Sequence, residues 1–322
     1  MLDEVRRACA QVAERAQQVV IDEGALDRLA ATLADEDPPL LPEERPPSAE
    51  GADTGGDTGR VDEEAVAAEV VAWNAVNFGS GWFPLLRKRP GLSGARTLAA
   101  AFADHVRAAG PPTAAWLRAA DRRTCALVFQ QPEPGPVDEL LDLFARAWRE
   151  LGDLLAERYH GSAAELVRSA EGSADRLVTT LADGLPLARD VAIYDGLTVP
   201  FLKRAQITVS HLDRALGGRG LGRFADRDRL TAFADNLVPH TLRMAGVLRY
   251  DPALAARIEA GELLAPGEPA EVEIRACGLH AVELLATRTG VPPAALDHQL
   301  WQRGQDPAVK AVPRHRCRCT WY

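Results

Sequence analysis

Apolar residues recur at helical spacing along most of the chain. The clearest register begins at Thr198, where Leu202, Ala205, Val209, Leu212 and Leu216 fall at i, i+3, i+7, i+10 and i+14. That is the stripe of a core-facing helix. Pro200 suits its first turn, where a missing N–H costs nothing. Beside the stripe runs a polar row, Lys203, Gln206, Ser210 and Asp213. Such a row either faces solvent or lines the edge of the core.

The same spacing predicts helices elsewhere. Leu2 to Ala34 reads as helix, although Gly24 interrupts it. Val61-Asp-Glu-Glu opens a helix that Gly79, Gly81 and Pro84 end. Further helices are predicted over Thr97–Ala109, Pro112–Ala120 and Val137–Tyr159. The last carries Leu140, Leu141, Phe144, Trp148, Leu151 and Leu155 on one stripe. Ser162-Ala-Ala-Glu165 has the form of a capping box and Ser173 that of a cap. Leu230–Tyr250, Pro252–Ala260, Glu271–Thr289 and Pro292–Arg303 complete the set, and Arg314–Tyr322 alternates like extended chain. Few or no strands are expected and no βαβ rhythm appears. The predicted fold class is all-α, one compact domain over residues 1–322. Residues 37–60, rich in Pro, Gly, Thr and acids, cannot bury much apolar surface and should form a flexible excursion.

Composition narrows the function classes. The chain has 322 residues, of which 47% are hydrophobic, and contains no apolar run of membrane length. Met1-Leu-Asp-Glu-Val-Arg-Arg lacks a signal-peptide h-region. A soluble, cytoplasmic protein that meets no membrane is expected. The net charge of −9 and the pI near 5.4 argue against binding intact nucleic acid. Five scattered cysteines suit reduced thiols. Cys317 and Cys319 have no second Cys or His pair nearby, and His105, His160, His240 and His280 lack ligand spacing, so no metal is expected. Gly217–Gly222 lacks the Gly-Lys-Ser/Thr ending of a phosphate loop and reads as an inter-helix turn.

Two stretches stand out chemically. Leu230, Phe233 and Leu237 give a helical face, but Pro239 removes the N–H that would bond the Asp235 carbonyl and disfavours helix at Val238. The chain should break just beyond Asp235, with Pro239 opening a new helix. Asp235 is then either a cap or a carboxylate projected beside that helix's positive end. Asn77 ends an apolar helix, as a cap or a ligand-facing amide. Phe78, Trp82 and Phe83 are core aromatics or a platform for a flat base. Residue patterns alone go no further than a soluble helical domain with a candidate polar cleft.

Three motifs carry a resemblance. Phe201-Leu-Lys-Arg-Ala-Gln-Ile207, Leu230-Thr-Ala-Phe-Ala-Asp235 with Val238-Pro239, and Glu271-Val-Glu-Ile-Arg-Ala276 together resemble the queuosine salvage family, the queuosine 5′-phosphate N-glycosidases. Asn77-Phe78, Tyr159-His-Gly-Ser162, Arg189-Asp190, Ala281-Val-Glu-Leu284, Leu300-Trp301 with Gly304, and Arg314–Tyr322 follow the family order from about Val66 onward. The resemblance implies an all-helical fold related to helical DNA glycosylases. It also implies hydrolysis of the base–ribose bond of a nucleoside 5′-phosphate to release queuine, with no cofactor. By the same resemblance Asp235 matches the catalytic aspartate and Lys203 the lysine of the central motif.

The residue types fit that chemistry. Cleaving a sugar–base bond develops oxocarbenium-like charge at C1′. A fixed carboxylate stabilises it, attacks it or orients water. Lys203 or Arg204 can hold the phosphate, and Asn77, Phe78 and Trp82 can hold the base. Gln206 and His211 line the same helix. Asp190 and Glu273 are substrate candidates or members of structural ion pairs with an arginine. The chain also departs from the family pattern: Ser210-His-Leu-Asp213 stands where Ala-Asp-Leu-Trp is usual, and Gly79-Ser-Gly-Trp-Phe83 replaces Cys-Phe-Trp. His211 would therefore read a different substituent on the base. The alternative from another class is a non-catalytic nucleotide-binding protein on the same scaffold.

Overall fold

The computed structural model describes residues 1–33, 46–49 and 62–322. Among them helices dominate and strands form only short two-stranded pairings, so the fold is mostly all-α. Helix α1 (Leu2–Arg15) buries Leu2, Val5, Cys9 and Val12. The single helix expected to Ala34 is divided, because Val19–Ile21 is extended as β1 and α2 covers only Glu23–Ala30. Three consecutive β-branched residues favour the extended chain there. The carboxylate of Asp22 then restarts the helix by accepting the Ala25 N–H at 2.8 Å. Of the expected 37–60 excursion, only 46–49 is described, with a 3-10 turn at Pro47–Ala49; the remainder lies outside the described residues.

The next helices are α3 (Glu63–Ala75), α4 (Gly94–Ala109), α5 (Ala114–Arg118), α6 (Arg122–Val128), α7 (Asp138–Arg158), α8 (Ala163–Arg168) and α9 (Ala174–Gly184). Both serine caps are in place, with Ser162 Oγ accepting from Glu165 N–H and Ser173 Oγ from Arg176 N–H. The capping box is incomplete. Ser162 N–H donates to the Tyr159 carbonyl, and the Glu165 carboxylate meets His160 Nδ1 at 2.8 Å.

Two strands, β2 (Val191–Tyr194) and β3 (Leu197–Pro200), form an antiparallel hairpin closed by Asp195 and Gly196, both at positive φ. Pro200 therefore ends a strand instead of starting the central helix, which is α10 (Lys203–Ala215). Leu202, at φ 55°, makes the corner between them. The Leu230–Leu237 stretch, expected to be helical, is irregular up to α11 (Val238–Met244), which has Pro239 in its first turn. Pro239 opens a helix there as expected, but no helix precedes it to be broken. Beyond lie β4 (Leu248–Tyr250), α12 (Pro252–Glu259), β5 (Leu263–Leu264), α13 (Pro269–Thr289), α14 (Pro293–Arg303), α15 (Pro307–Ala311) and β6 (Arg316–Cys317). Strand β4 pairs antiparallel with β1, and β5 parallel with β6.

The chain forms two compact units. One comprises Met1–Pro39, Asp190–Gln206 and Asp228–Tyr322, and holds every described strand. It is built round α13, which packs against α1, α2, α11 and α14. Glu271, Glu273 and Arg275 are buried on α13 together with its apolar residues. The other unit comprises Leu40–Arg189 and Ile207–Arg227. Its core is aromatic: Phe144 packs edge-on against Phe78 at 5.0 Å, and Phe129 stacks on Trp148 at 5.4 Å.

Candidate active site

Asp235 lies in the irregular turn ahead of α11. Its Oδ1 accepts the N–H groups of Leu237 (2.8 Å) and Val238 (2.9 Å), which aims the carboxylate by two bonds to fixed backbone. Both hydrogen bonds that the described residues give this carboxylate fall on Oδ1, and none on Oδ2. Asp235 keeps part of its surface accessible, yet protein surrounds it closely enough for burial to raise its pKa. Lys203, the two N–H donors and Arg314 oppose that rise.

Lys203 is the first residue of α10 and is buried. Burial brings its ammonium down to about 8, with Arg204 adding to the fall and Asp235, Asp297 and Asp190 resisting it. The lysine thus belongs to the same electrostatic cluster as Asp235. Two further groups complete the cluster. Asp297 on α14 is buried and accepts the Phe233 N–H at 2.9 Å. Burial raises its carboxyl well above the usual range and the Asp235 charge adds to the rise. Arg314 is lowered by burial and held up by Asp235, and its Nε has no hydrogen-bond partner among the described residues. Two carboxyls and two cations thus act on one another's ionisation, a pattern that marks candidate functional sites.

The backbone that carries these groups is tied down by buried side chains. Gln206 donates through Nε2 to the Phe201 carbonyl (3.0 Å) and to Thr231 Oγ1 (2.9 Å), and its Oε1 accepts the Thr231 N–H at 2.9 Å. It fastens α10 to the segment leading to Asp235. Asp190 pairs with Arg275, Oδ1 at 3.0 Å and Oδ2 at 2.5 Å, which is the ion-pair arrangement weighed for it above. Glu273 Oε2 accepts the N–H groups of Gln17, Gln18 and Val19, and its Oε1 accepts the Tyr194 hydroxyl at 2.8 Å. Its partners are therefore backbone amides and a tyrosine. Arg204 is buried.

The remaining candidates belong to the second unit. Asn77 Nδ2 donates to Asn74 Oδ1 at 3.2 Å, and Asn74 Nδ2 lies 3.2 Å from His211 Nδ1. Asn77 and His211 are thus joined through Asn74. Phe78 and Trp82 are buried, Phe78 against Phe144 and Trp82 with its Nε1 donating to Glu139 at 2.9 Å.

Arg275, Asp297 and Arg314 were not singled out by spacing. The available signal was that α13 is apolar around its circumference, so Glu271, Glu273 and Arg275 had no solvated side to face. Asp297 likewise follows Leu296 and precedes Leu300, both buried. Among the described residues no group of three or more His, Cys, Asp and Glu is arranged to hold a metal ion, and no helix is long and apolar enough to cross a membrane.

Comparison with known proteins shows what the chain is similar to. A family model described as queuosine salvage protein matches residues 82–322. A protein of Sphaerobacter thermophilus named queuosine 5′-phosphate N-glycosylase/hydrolase is 36% identical over 321 residues, covering 97% of this chain and 95% of that one. Proteins of the same name from Mus musculus and Dictyostelium discoideum are 34% and 38% identical over 191 and 182 residues. Those alignments cover 55% of this chain and 56% and 57% of theirs.

Proposed function

The chain belongs to the queuosine salvage protein family, and from that premise we propose that it hydrolyses the N-glycosidic bond of queuosine 5′-phosphate, or of a related 7-deazapurine nucleoside 5′-phosphate. Water adds to C1′ and gives up one proton, the C1′–N bond breaks with its electron pair leaving on the base, the base takes up a proton, and ribose 5-phosphate and the free base result. The observation that supports Asp235 as the catalytic residue is its half-satisfied carboxylate. Oδ1 is held by two backbone N–H groups while Oδ2 has no hydrogen bond from the described residues. An oxygen so aimed stabilises or captures the positive charge that develops at C1′. Lys203, charged below about pH 8, offers an ammonium for the 5′-phosphate, with Arg204 and the unpartnered Nε of Arg314 as further anion donors.

His211, which departs from the family motif, is proposed to influence the choice of base, with Asn77 joined to it through Asn74; Phe78 and Trp82 serve as buried core aromatics of the second unit. The substrate is proposed to be the free nucleotide and not intact tRNA, and the location cytoplasmic. The test is mass-spectrometric detection of free base from queuosine, guanosine and adenosine 5′-monophosphates, comparing wild type with Asp235→Asn. Asn keeps the acceptor for Leu237 and Val238 but loses the charge. Base release by wild type is expected to fall by at least about a thousandfold in the variant, on the scale of removing an essential catalytic group. A folded Asp235→Asn protein with the wild-type rate would refute the role. Release only from guanosine or adenosine phosphate would keep the reaction and change the substrate.

A further inference from the structure

We propose that Arg275 is a positioning residue for the Lys203–Asp235 pair, one buried guanidinium that holds together the two backbone segments from which those side chains depart. Its Nε donates to the carbonyl of Ala234, the residue before Asp235, at 2.9 Å. Its Nη1 and Nη2 donate to the two oxygens of Asp190. Asp190 in turn organises the start of α10. Its main-chain carbonyl accepts the N–H groups of Phe201 (2.9 Å) and Leu202 (3.3 Å), and its Oδ2 accepts the N–H of Lys203 at 3.3 Å. The path from the Asp235 turn to the Lys203 amide therefore runs through one arginine and one aspartate, with every link a hydrogen bond.

The surroundings hold the guanidinium rigid. Arg275 has no exposed surface, and Nη1 also reaches Glu271 at 3.3 Å. The guanidinium carbon lies over the Phe201 ring, 3.9 Å from its centroid, and 4.8 Å from that of Tyr322, so the planar fork packs against aromatic faces. The corner at Leu202, with φ 55°, is a left-handed conformation that a leucine keeps only when its surroundings impose it. The Asp190 carbonyl supplies one such restraint. A lysine in place of Arg275 retains the charge that Asp190 and Glu271 need. A single ammonium cannot reproduce the planar three-way fork.

The role in turnover rests on the reading that Lys203 and Asp235 act on the nucleotide, so the experiment carries one readout that needs no turnover. The chain has only three lysines, Lys88, Lys203 and Lys310, and Arg275→Lys adds a fourth, so the Lys203 signal in carbon-13 lysine NMR is assigned in the wild type and in the variant separately, each time by its loss on adding Lys203→Met. In Arg275→Lys, kcat for base release should fall by about a hundredfold, the cost of small misplacement, while KM changes less than about threefold. The Lys203 titration should move from about 8 toward the ordinary lysine range as water reaches the loosened helix start. A folded Arg275→Lys protein with Lys203 unmoved, or with the wild-type kcat while Asp235→Asn is inactive, would overturn the proposal. If Asp235→Asn keeps full activity, the functional reading fails and the titration alone still decides whether Arg275 positions Lys203. Should Arg275→Lys not fold, Asp190→Asn takes its place, with the same expected shift and the same refuting result.

Discussion

At the residue scale, Lys203 carries a cost that function explains. Its ionisation lies near 8, against an ordinary lysine value of 10.5. Below pH 8 the ammonium is charged in both folded and unfolded chains. Between 8 and 10.5 the unfolded chain holds a proton that the folded one has released, so stability rises with pH across that window. At neutral pH the buried charge therefore costs about 3 kcal/mol. Lys203→Met removes that cost. It should raise the melting temperature by roughly 3 °C or more, while calorimetry and the base-release assay together show a more stable and inactive protein. A lower melting temperature would contradict the assignment. The same ionisation predicts an alkaline limb in turnover. As pH rises past 8 the ammonium is lost, and KM should increase about tenfold per pH unit if one charge holds the phosphate. A KM flat from pH 7 to 10 would release Lys203 from that role.

At the element scale, the sequence revealed most helices and misplaced two boundaries that shape the site. Pro200 satisfies the rule for a first helical turn equally well as the end of a strand. The choice was made by Asp190, ten residues upstream, whose carbonyl accepts the Phe201 N–H. Leu230, Phe233 and Leu237 are all buried, as a helix face would be. They belong to irregular chain because Gln206 and Asp297 take the Thr231 and Phe233 N–H groups from outside that segment. Asp235 and Lys203 were legible through Pro239 and the family motif. Arg275 and Asp297 were not, because the apolar surroundings on α13 and beside Leu296 and Leu300 mark them as buried without saying which charges they meet. Close approach of elements matters equally. A Cβ added at Gly304 would meet Thr241 Oγ1 at 2.7 Å and Leu237 Cγ at 2.8 Å, and Leu237 supplies an N–H to Asp235. Gly304→Ala should therefore destabilise the fold by about 1–3 kcal/mol and also lower kcat. Thermal melts beside kinetics test this, and an unchanged melting temperature would show that α11 and α14 part without cost.

At the scale of the whole molecule, net charge bears on the proposal that the substrate is the free nucleotide and not intact tRNA. The chain carries 46 acidic against 37 basic residues. Its general field repels a polyanion, and that field is screened beyond about 8 Å at physiological salt. Affinity for a nucleotide must then come from cations inside the site, where screening is weak and one phosphate is engaged. Intact tRNA would need many surface contacts, each strengthening the salt dependence by roughly 0.7–0.9 in log–log slope. Two outcomes follow from one titration. Raising sodium chloride from 50 to 300 mM, about a sixfold range, should increase KM for queuosine 5′-monophosphate by no more than roughly that factor, since a single phosphate contact gives a slope near one. Over the same range a gel shift should reveal no tRNA complex at micromolar protein. A tight, steeply salt-dependent tRNA complex would mean that basic residues cluster strongly enough to override the net charge, and the substrate would then have to be sought within the folded RNA.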